Sequence, residues 1–138
     1  MVSRVRLLEL KERFSQEPFV ESFGAYLAAL SPNRVEFGIT ILSSMTIVEG
    51  IANGGIITLL GNSAGVYAAM AQIPEGHTRA VNITTYFHSP AFLGDEIAAS
   101  AEVTNQSKNF IWVSFKIWND TKQKLIADGM AQYMKPRS

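Results

Sequence analysis

The sequence contains no cysteine, which excludes disulfides, thiolate metal ligands and a cysteine nucleophile. It has only two histidines, His77 and His88, and no acidic residue lies between them. This spacing does not indicate a metal site. We therefore expect neither a metal nor a separate cofactor.

Clustered charge is also missing. Twelve Lys and Arg residues balance twelve Asp and Glu residues, and no two basic residues are adjacent. Because nucleic acids and anionic membranes attract clustered positive charge, the sequence does not favour binding to either. It also lacks the apolar segment of a signal peptide and any run of the roughly 20 apolar residues that a membrane span needs. We expect a cytoplasmic protein.

What is present is a simple order of helices and strands in a chain of 138 residues, a length that suits one domain, 1–138. Apolar residues recur at helical spacing over residues 3–14, and Pro18 and Gly24 bound a second, short helix. A longer helix is expected from Gly54 to about Ala71. Alternating or continuous apolar residues predict six strands, at 25–30, 34–41, 78–89, 95–103, 109–119 and 124–134.

The long central helix is apolar on nearly every side, with asparagines as its only strongly polar residues. A helix of this kind must be covered all round. One flat sheet covers only one side, so either the sheet curls around the helix or a second copy of the chain completes the cover. The order of elements predicts an α+β fold in which six antiparallel strands wrap around one helix.

Four segments carry a family resemblance: Gly50, residues 53–64 ("NGGIITLLGNSA"), residues 81–91 ("VNITTYFHSPA") and the Gly94-Asp95 pair. In these segments the chain resembles the hotdog-fold acyl-CoA thioesterases, specifically the PaaI-like (phenylacetate-degradation) branch. The resemblance covers about residues 17–135. It implies the hotdog fold, to which the helix expected over residues 3–14 is an addition, and an acyl-CoA substrate of which CoA is a part.

Thioester hydrolysis needs stabilisation of the carbonyl oxyanion and a group that activates water. The resemblance implies that the backbone N–H groups of Gly54 and Gly55 supply the stabilisation. The physics agrees, because the first N–H groups of a helix lack internal partners and the helix dipole favours negative charge there. The alternative is that the two glycines only let the loop turn tightly into the helix.

Amides occupy the two positions where the resembling family has titratable side chains: Asn53 replaces its histidine and Asn62 its acid. Neither amide can take a proton from water. Three interpretations remain open. Asn62 orients a water held by Ser63 or Thr58, or Glu49 supplies a carboxylate, or the site binds acyl-CoA without hydrolysing it well. Asn62 as a buried amide that bonds backbone across a subunit interface is the plainer alternative.

Asn53 and Asn62 are nine residues apart, which is about 13.5 Å of helix rise and two and a half turns. They therefore project to opposite sides, and one thioester cannot touch both in a single chain. If both serve one site, two chains build it around a two-fold axis, as in the family dimer. We expect either a homodimer or a homotetramer that forms as a dimer of dimers.

CoA carries phosphates, so basic residues are expected where it enters. By family position the resemblance places Lys108 and Ser107, in the turn "QSKN", and Val81 and Asn82, on a strand, against CoA. The apolar residues available for an acyl pocket do not distinguish aryl from medium-chain groups. The expected function is hydrolysis, possibly weak, of such an acyl-CoA. The alternative is a non-catalytic module that binds an acyl ligand or only assembles.

Two other side chains are expected to be structural. His88 lies in a strand pattern and is interpreted as a packed strand residue rather than a base. Asp95 follows Gly94 and is interpreted as fixing the turn before the next strand.

Overall fold

The predicted helices and strands are all present in the structure, a computed structural model that describes residues 2–137. The elements in chain order are α1 (Arg4–Ser15), α2 (Pro18–Phe23), β1 (Tyr26–Ser31), β2 (Arg34–Thr40), α3 (Gly54–Met70), β3 (Arg79–Phe87), β4 (Glu96–Gln106), β5 (Phe110–Asn119) and β6 (Lys124–Met134). A short 3₁₀ turn, Ser43–Met45, was not predicted. No helix in the described part of the chain is both long and apolar enough to cross a membrane.

The six strands form one antiparallel sheet in the order β1-β2-β4-β5-β6-β3, and α3 packs against its inner face. The predicted hotdog architecture is confirmed. The alternation of apolar residues fixed the inner face correctly, since the inward residues of β2, β4 and β5 are almost fully buried: Val35, Phe37, Ile39, Ile97, Ala99, Ala101, Ile111, Val113, Phe115 and Ile117.

The alternation predicted for β6 is wrong at one point. The alternation of Leu125, Ala127, Gly129, Ala131 and Tyr133 predicts that Leu125 lies on the inner face, but Leu125 is only half-buried, whereas Ile126 is buried. The cause is a bulge: Ile117 pairs with Ala127 and Trp118 pairs with Leu125, so Ile126 is an extra residue on β6. An extra residue reverses the alternation locally.

Glycines let the sheet approach α3 closely. A Cβ at Gly61 would overlap the ring of Phe115, and a Cβ at Gly65 would overlap the hydroxyl of Tyr133. The other edge of the Phe115 ring lies against Gly129 of β6, where a Cβ would also overlap the backbone of β3. Phe115 therefore fills a slot between two glycines, one on α3 and one on the sheet.

The first helix buries a charge that its pattern did not predict. Leu10 and Phe14 are buried as expected, but so is Arg6. The guanidinium of Arg6 donates to the carbonyl of Met70 (3.2 Å) and to the carbonyl of Gly76 (2.7 Å). The last carbonyls of a helix lack internal partners and carry partial negative charge, so a buried cation is favourable at this end of α3.

Candidate active site

The start of α3 supplies one free backbone donor. Asn53 is the residue before the first helical turn, and its Oδ1 accepts a hydrogen bond from the N–H of Gly55 (2.8 Å). The N–H of Gly54 has no hydrogen-bond partner among residues 2–137. Of the two donors expected for an oxyanion, Gly54 is therefore available and Gly55 is occupied. Asn53 is a helix cap, a role that asparagine favours.

Two adjacent turns hold this helix start in place. In the first turn, residues 47–50, the N–H of Gly50 donates to Ile47. The second follows β3, and its Leu93 N–H donates to the carbonyl of Gly50 (2.9 Å). The N–H of Ala52 in turn donates to the carbonyl of Ala91 (2.8 Å). The position of Gly54 thus depends on both turns.

Asp95 closes the second turn, as predicted. Its buried carboxylate accepts bonds from the Phe92 N–H (2.9 Å) and the Asn119 amide (2.8 Å), and the Lys122 ammonium lies 3.6 Å away. Burial alone would raise the pKa of Asp95, but these three groups stabilise the charged form and hold the pKa below its ordinary value. The carboxylate is therefore ionised at neutral pH.

The variant Asp95→Asn is expected to lower the free energy of unfolding by about 1–3 kcal/mol at pH 7. Because the folded pKa is depressed, the wild-type carboxylate stabilises the fold above its unfolded pKa, roughly 3.9, and this contribution is lost as the pH falls through the folded pKa. Urea unfolding at several pH values measures the difference. A gap between variant and wild type that stays constant from pH 7 to pH 3 would contradict this role.

An apolar groove of about 340 Å³ opens beside the free donor. Ten residues line it: Ile51, Ala52, Gly54, Ile57, Phe87, His88, Ser89, Pro90, Ala91 and Ile126. The Phe87 ring lies close to the helix start, at 3.4 Å from where a Cβ of residue 54 would be. This volume is at the small end of the roughly 300–1,000 Å³ typical of ligand pockets.

His88 lies at the rim of this groove rather than packed in a strand. It follows the last residue of β3, is exposed, and places Nε2 2.7 Å from Oδ1 of Asp128 on β6. The interpretation of His88 as a packed strand residue is therefore wrong. The two residues are forty positions apart, so the sequence carried no signal for the pair.

Asn62 lies eight residues after Gly54, about 12 Å further along α3. The hydroxyl of Tyr133 lies 2.9 Å from Asn62 Oδ1 and 3.3 Å from its backbone carbonyl. Tyr133 is fully buried, and burial raises the pKa of its phenol, which stays protonated and donates. Ser63 is buried beside Asn62, while the hydroxyl of Thr58 donates to Thr85 of β3 (3.0 Å).

Glu49 lies at the exposed tip of the first turn, beside the fully exposed Val48. Its side chain has no hydrogen bond and no ion pair with any residue between positions 2 and 137. Positive φ at Gly50 (76°) lets the chain turn directly afterwards. Glu49 thus stays a candidate base that the chain itself does not hold in place.

The residues expected to meet CoA lie at other places. Lys108 is exposed and lines a second groove, of about 1040 Å³, together with Lys135 and Arg137. This groove adjoins the end of α3, whose seventeen residues span about 25 Å. Within one chain the structure therefore separates Lys108 from Gly54.

The other three predicted CoA contacts have local roles or are exposed. Ser107 Oγ accepts from the Phe110 N–H (3.2 Å) and closes the turn between β4 and β5. Val81 lies in a bulge of β3 and is exposed, as is Asn82. Both are on a strand whose outer edge has no partner among the described strands.

Comparison with known proteins places this geometry in a family. Residues 49–126 match the model of the thioesterase superfamily. Acyl-coenzyme A thioesterase 13 of Mus musculus is 27% identical over 103 residues, which are 75% of this chain and 74% of that protein.

Solved structures share the fold. The PaaI protein of E. coli, from the phenylacetic acid degradation operon, superposes with a TM-score of 0.89 at 20% identity, covering 100% of this chain and 98% of that one. Thioesterase superfamily member 2 of Mus musculus has a TM-score of 0.81 at 25% identity, covering 97% and 98%. The resemblance to PaaI-like hotdog thioesterases is confirmed. Since the family model spans more than half of the chain, this protein belongs to the thioesterase superfamily and is by class a thioester hydrolase.

Proposed function

We propose that this protein acts in the cytoplasm on an aryl- or medium-chain acyl-CoA, at a site between two copies of the chain. The observation that carries the proposal is the N–H of Gly54, which has no partner among residues 2–137 and belongs to a residue that lines an apolar groove at the positive end of α3. Mouse acyl-coenzyme A thioesterase 13 supports the substrate class.

In the proposed reaction the groove takes the acyl group and the thioester carbonyl oxygen accepts from the Gly54 N–H. Water attacks the carbonyl carbon, and the negative charge that develops on the oxygen is stabilised by this donor and by the helix dipole. The C–S bond then breaks. Of the two protons of the attacking water, one ends on the CoA sulfur and gives the thiol, and the other passes to solvent as the released acid ionises to a carboxylate. The glycine at position 54 lets the substrate approach the backbone.

The proposed site spans two chains because α3 separates its parts. Gly54 lies at the start of α3 and the Lys108 groove lies at its end. A two-fold axis that sets two α3 helices antiparallel brings the start of one near the middle and end of the other. CoA held by Gly54 of one copy then extends toward Asn62, Val81, Asn82 and Lys108 of the second.

The free edge of β3 supports this assembly. β3 has nine residues and ends the sheet, and long unprotected edges tend to pair with another chain. Val81, Tyr86 and Phe87 on this strand are all more than half exposed. We propose a dimer built on this edge, alone or as half of a tetramer.

Light scattering at micromolar concentration is therefore expected to give the mass of two or four chains. The variant Val81→Pro is expected to shift the protein toward monomer, because proline disturbs pairing at a strand edge. Leu8→Ala, at an exposed position on α1, is the matched control and is expected to leave the mass unchanged. A monomeric wild type would contradict the assembly.

A second candidate function is binding of an acyl ligand without hydrolysis. It is favoured by Asn62, because an amide held by Tyr133 offers donors to a ligand but no base to a water molecule. In the hydrolytic alternative, either Asn62 orients the attacking water and no side chain acts as base, or one of two side chains is the base. These two are the carboxylate of Glu49 and the imidazole of His88 paired with Asp128.

A panel of free CoA, short-chain, medium-chain and aryl acyl-CoA tests the proposal by thermal shift, with release of free thiol measured in parallel. We expect at least one aryl or medium-chain acyl-CoA to raise the melting temperature more than CoA alone does. Thermal stabilisation without thiol release would favour the binding module. If no member of the panel shifts the melting temperature, the acyl-CoA ligand is wrong.

A further inference from the structure

We infer that Tyr133 is a positioning residue, which fixes the side chain of Asn62 as a hydrogen-bond donor toward the acyl ligand. The ligand part of this inference rests on the proposed function. The ligand group it would take is the carbonyl oxygen of the acyl group, or the carboxylate that hydrolysis produces.

The contact between the two residues is specific. Tyr133 is 0% exposed, and its hydroxyl lies 2.9 Å from Oδ1 of Asn62. Apart from the Asn62 carbonyl at 3.3 Å, this hydroxyl has no other partner among residues 2–137. A buried hydroxyl without a partner is costly, so the phenol and the amide oxygen hold each other in place.

Gly65 makes this contact possible. A Cβ at position 65 would overlap the Tyr133 hydroxyl, so only glycine leaves room for it one turn after Asn62. The hydroxyl is thus enclosed between Gly65 and Asn62. This explains a glycine inside a helix, where it otherwise destabilises by up to about 1 kcal/mol relative to alanine.

The contact determines which end of the amide is free. An asparagine side chain has an acceptor oxygen and two N–H donors. Since Oδ1 is occupied by the phenol, the Nδ2 group is left for another partner, and it has none among the described residues. Asn62 is half-buried and therefore reachable. Position 62 thus offers donors where a base would need an acceptor.

The resulting site consists of hydrogen-bond donors. The Gly54 N–H of one copy and the Asn62 amide of the other both donate, and both favour an oxygen that carries or develops negative charge. Such a site stabilises an acyl oxygen but does not itself activate water. Tyr133 would then influence ligand binding through Asn62 without touching the ligand.

The hold of Tyr133 on position 62 is testable without any ligand. In Asn62→Asp, NMR titration gives the pKa of the new carboxyl group, and the same titration is repeated with Tyr133→Phe added. Loss of the hydroxyl donor is expected to raise that pKa by about one to two units. Tyr67→Phe is the matched control, because Tyr67 is equally buried on α3 but donates to Glu17. Equal pKa values with and without the Tyr133 hydroxyl would overturn the inference.

The effect on the ligand is tested in the wild-type background by calorimetry with the acyl-CoA that stabilises the protein most. Tyr133→Phe is expected to weaken binding about threefold to tenfold, while Tyr67→Phe changes it less than twofold. In Asn62→Ala, the further change Tyr133→Phe is expected to add no loss. Equal effects of Tyr133→Phe and Tyr67→Phe would mean that Tyr133 is only structural.

Two glycine variants provide an independent test of the role of Tyr133. Gly65→Ala displaces the Tyr133 hydroxyl, whereas Gly61→Ala meets only the ring of Phe115, with similar overlap. We expect the first, on protein that remains folded, to reproduce the binding loss of Tyr133→Phe, and the second to lose stability without that binding loss. If wild type binds no acyl-CoA, the proposed function fails, and the NMR titration still decides whether Tyr133 positions residue 62.

Discussion

Asn62→Asp is expected to raise kcat for at least one acyl-CoA by about 10²-fold. The resemblance described in the sequence analysis implies that Asn62 stands where the family has its acid, and the Gly54 N–H has no partner among residues 2–137 and is free to stabilise an oxyanion. The base is then the missing component, and an aspartate, with an ordinary pKa of about 3.9, supplies it at neutral pH. Release of free thiol from the acyl-CoA panel measures the gain.

The matched control is Asn53→Asp. It makes the same chemical change on the same helix, but at the cap, where aspartate is as favourable as asparagine. We expect no gain in rate from it, because a carboxylate next to Gly54 adds no base at position 62 and opposes an oxyanion at the Gly54 N–H. A similar gain from both variants would show that added negative charge, rather than a base at position 62, is responsible.

Stability limits the experiment, since an unpaired buried charge can cost several kcal/mol. Position 62 is half-buried, and the Tyr133 hydroxyl that now bonds Oδ1 can donate to a carboxylate instead. Rates are therefore compared only on protein shown by light scattering and circular dichroism to keep the wild-type mass and fold.

Two outcomes would contradict the missing-base interpretation. If wild type already turns over at about 10 s⁻¹, an ordinary enzyme rate, a base is present elsewhere, and Glu49→Gln and His88→Gln identify it. If folded Asn62→Asp gains nothing on any acyl-CoA, the site has diverged at more than this position, and ligand binding without hydrolysis becomes the better function.

Phe115→Ala is expected to lower the free energy of unfolding by about 3–5 kcal/mol. The ring fills the slot between Gly61 and Gly129, and neither glycine has a side chain that can move into the cavity. The surrounding structure can therefore relax only a little around the cavity. For this reason we expect a loss of stability near the upper end of that range. Urea denaturation measures it.

Leu8→Ala is the control for this loss, because Leu8 is an exposed apolar residue on α1, and it is expected to change stability by at most about 0.5 kcal/mol. A loss below about 1.5 kcal/mol for Phe115→Ala would show that the sheet and helix close over the gap after all. A loss of cooperativity in place of a shifted midpoint would show that the ring is needed for a unique packing.

The sequence predicted the features of the fold that depend on local residue patterns. Period-two alternation identified the buried face of three strands, and Pro and Gly residues indicated where α2 and α3 begin and end. It failed where one extra residue broke the period, at Ile126. The capping role of Asn53 was open to prediction, because asparagine before a glycine-initiated helix is a common start signal.

The rest of the site depends on contacts between distant residues. Tyr133 and Asn62 are seventy-one positions apart, and His88 and Asp128 are forty apart. Arg6 is likewise buried because the end of α3 lies beside it. The periodicity of α1 carries no information about that contact. Such contacts follow from strand order and register. A single sequence contains no local pattern that predicts them.

The two glycines of α3 determine its rotation. A helix that is apolar on every side has no polar face to choose its orientation about its own axis. Gly61 and Gly65 are four residues apart and share one side, and Phe115 and Tyr133 occupy the space above them. Turning the helix by one residue, about 100°, would put a side chain where a ring now lies. Residue 62 is thereby aimed in one direction whatever its chemistry, so an acid can be exchanged for an amide there, changing what the site does while its geometry stays the same.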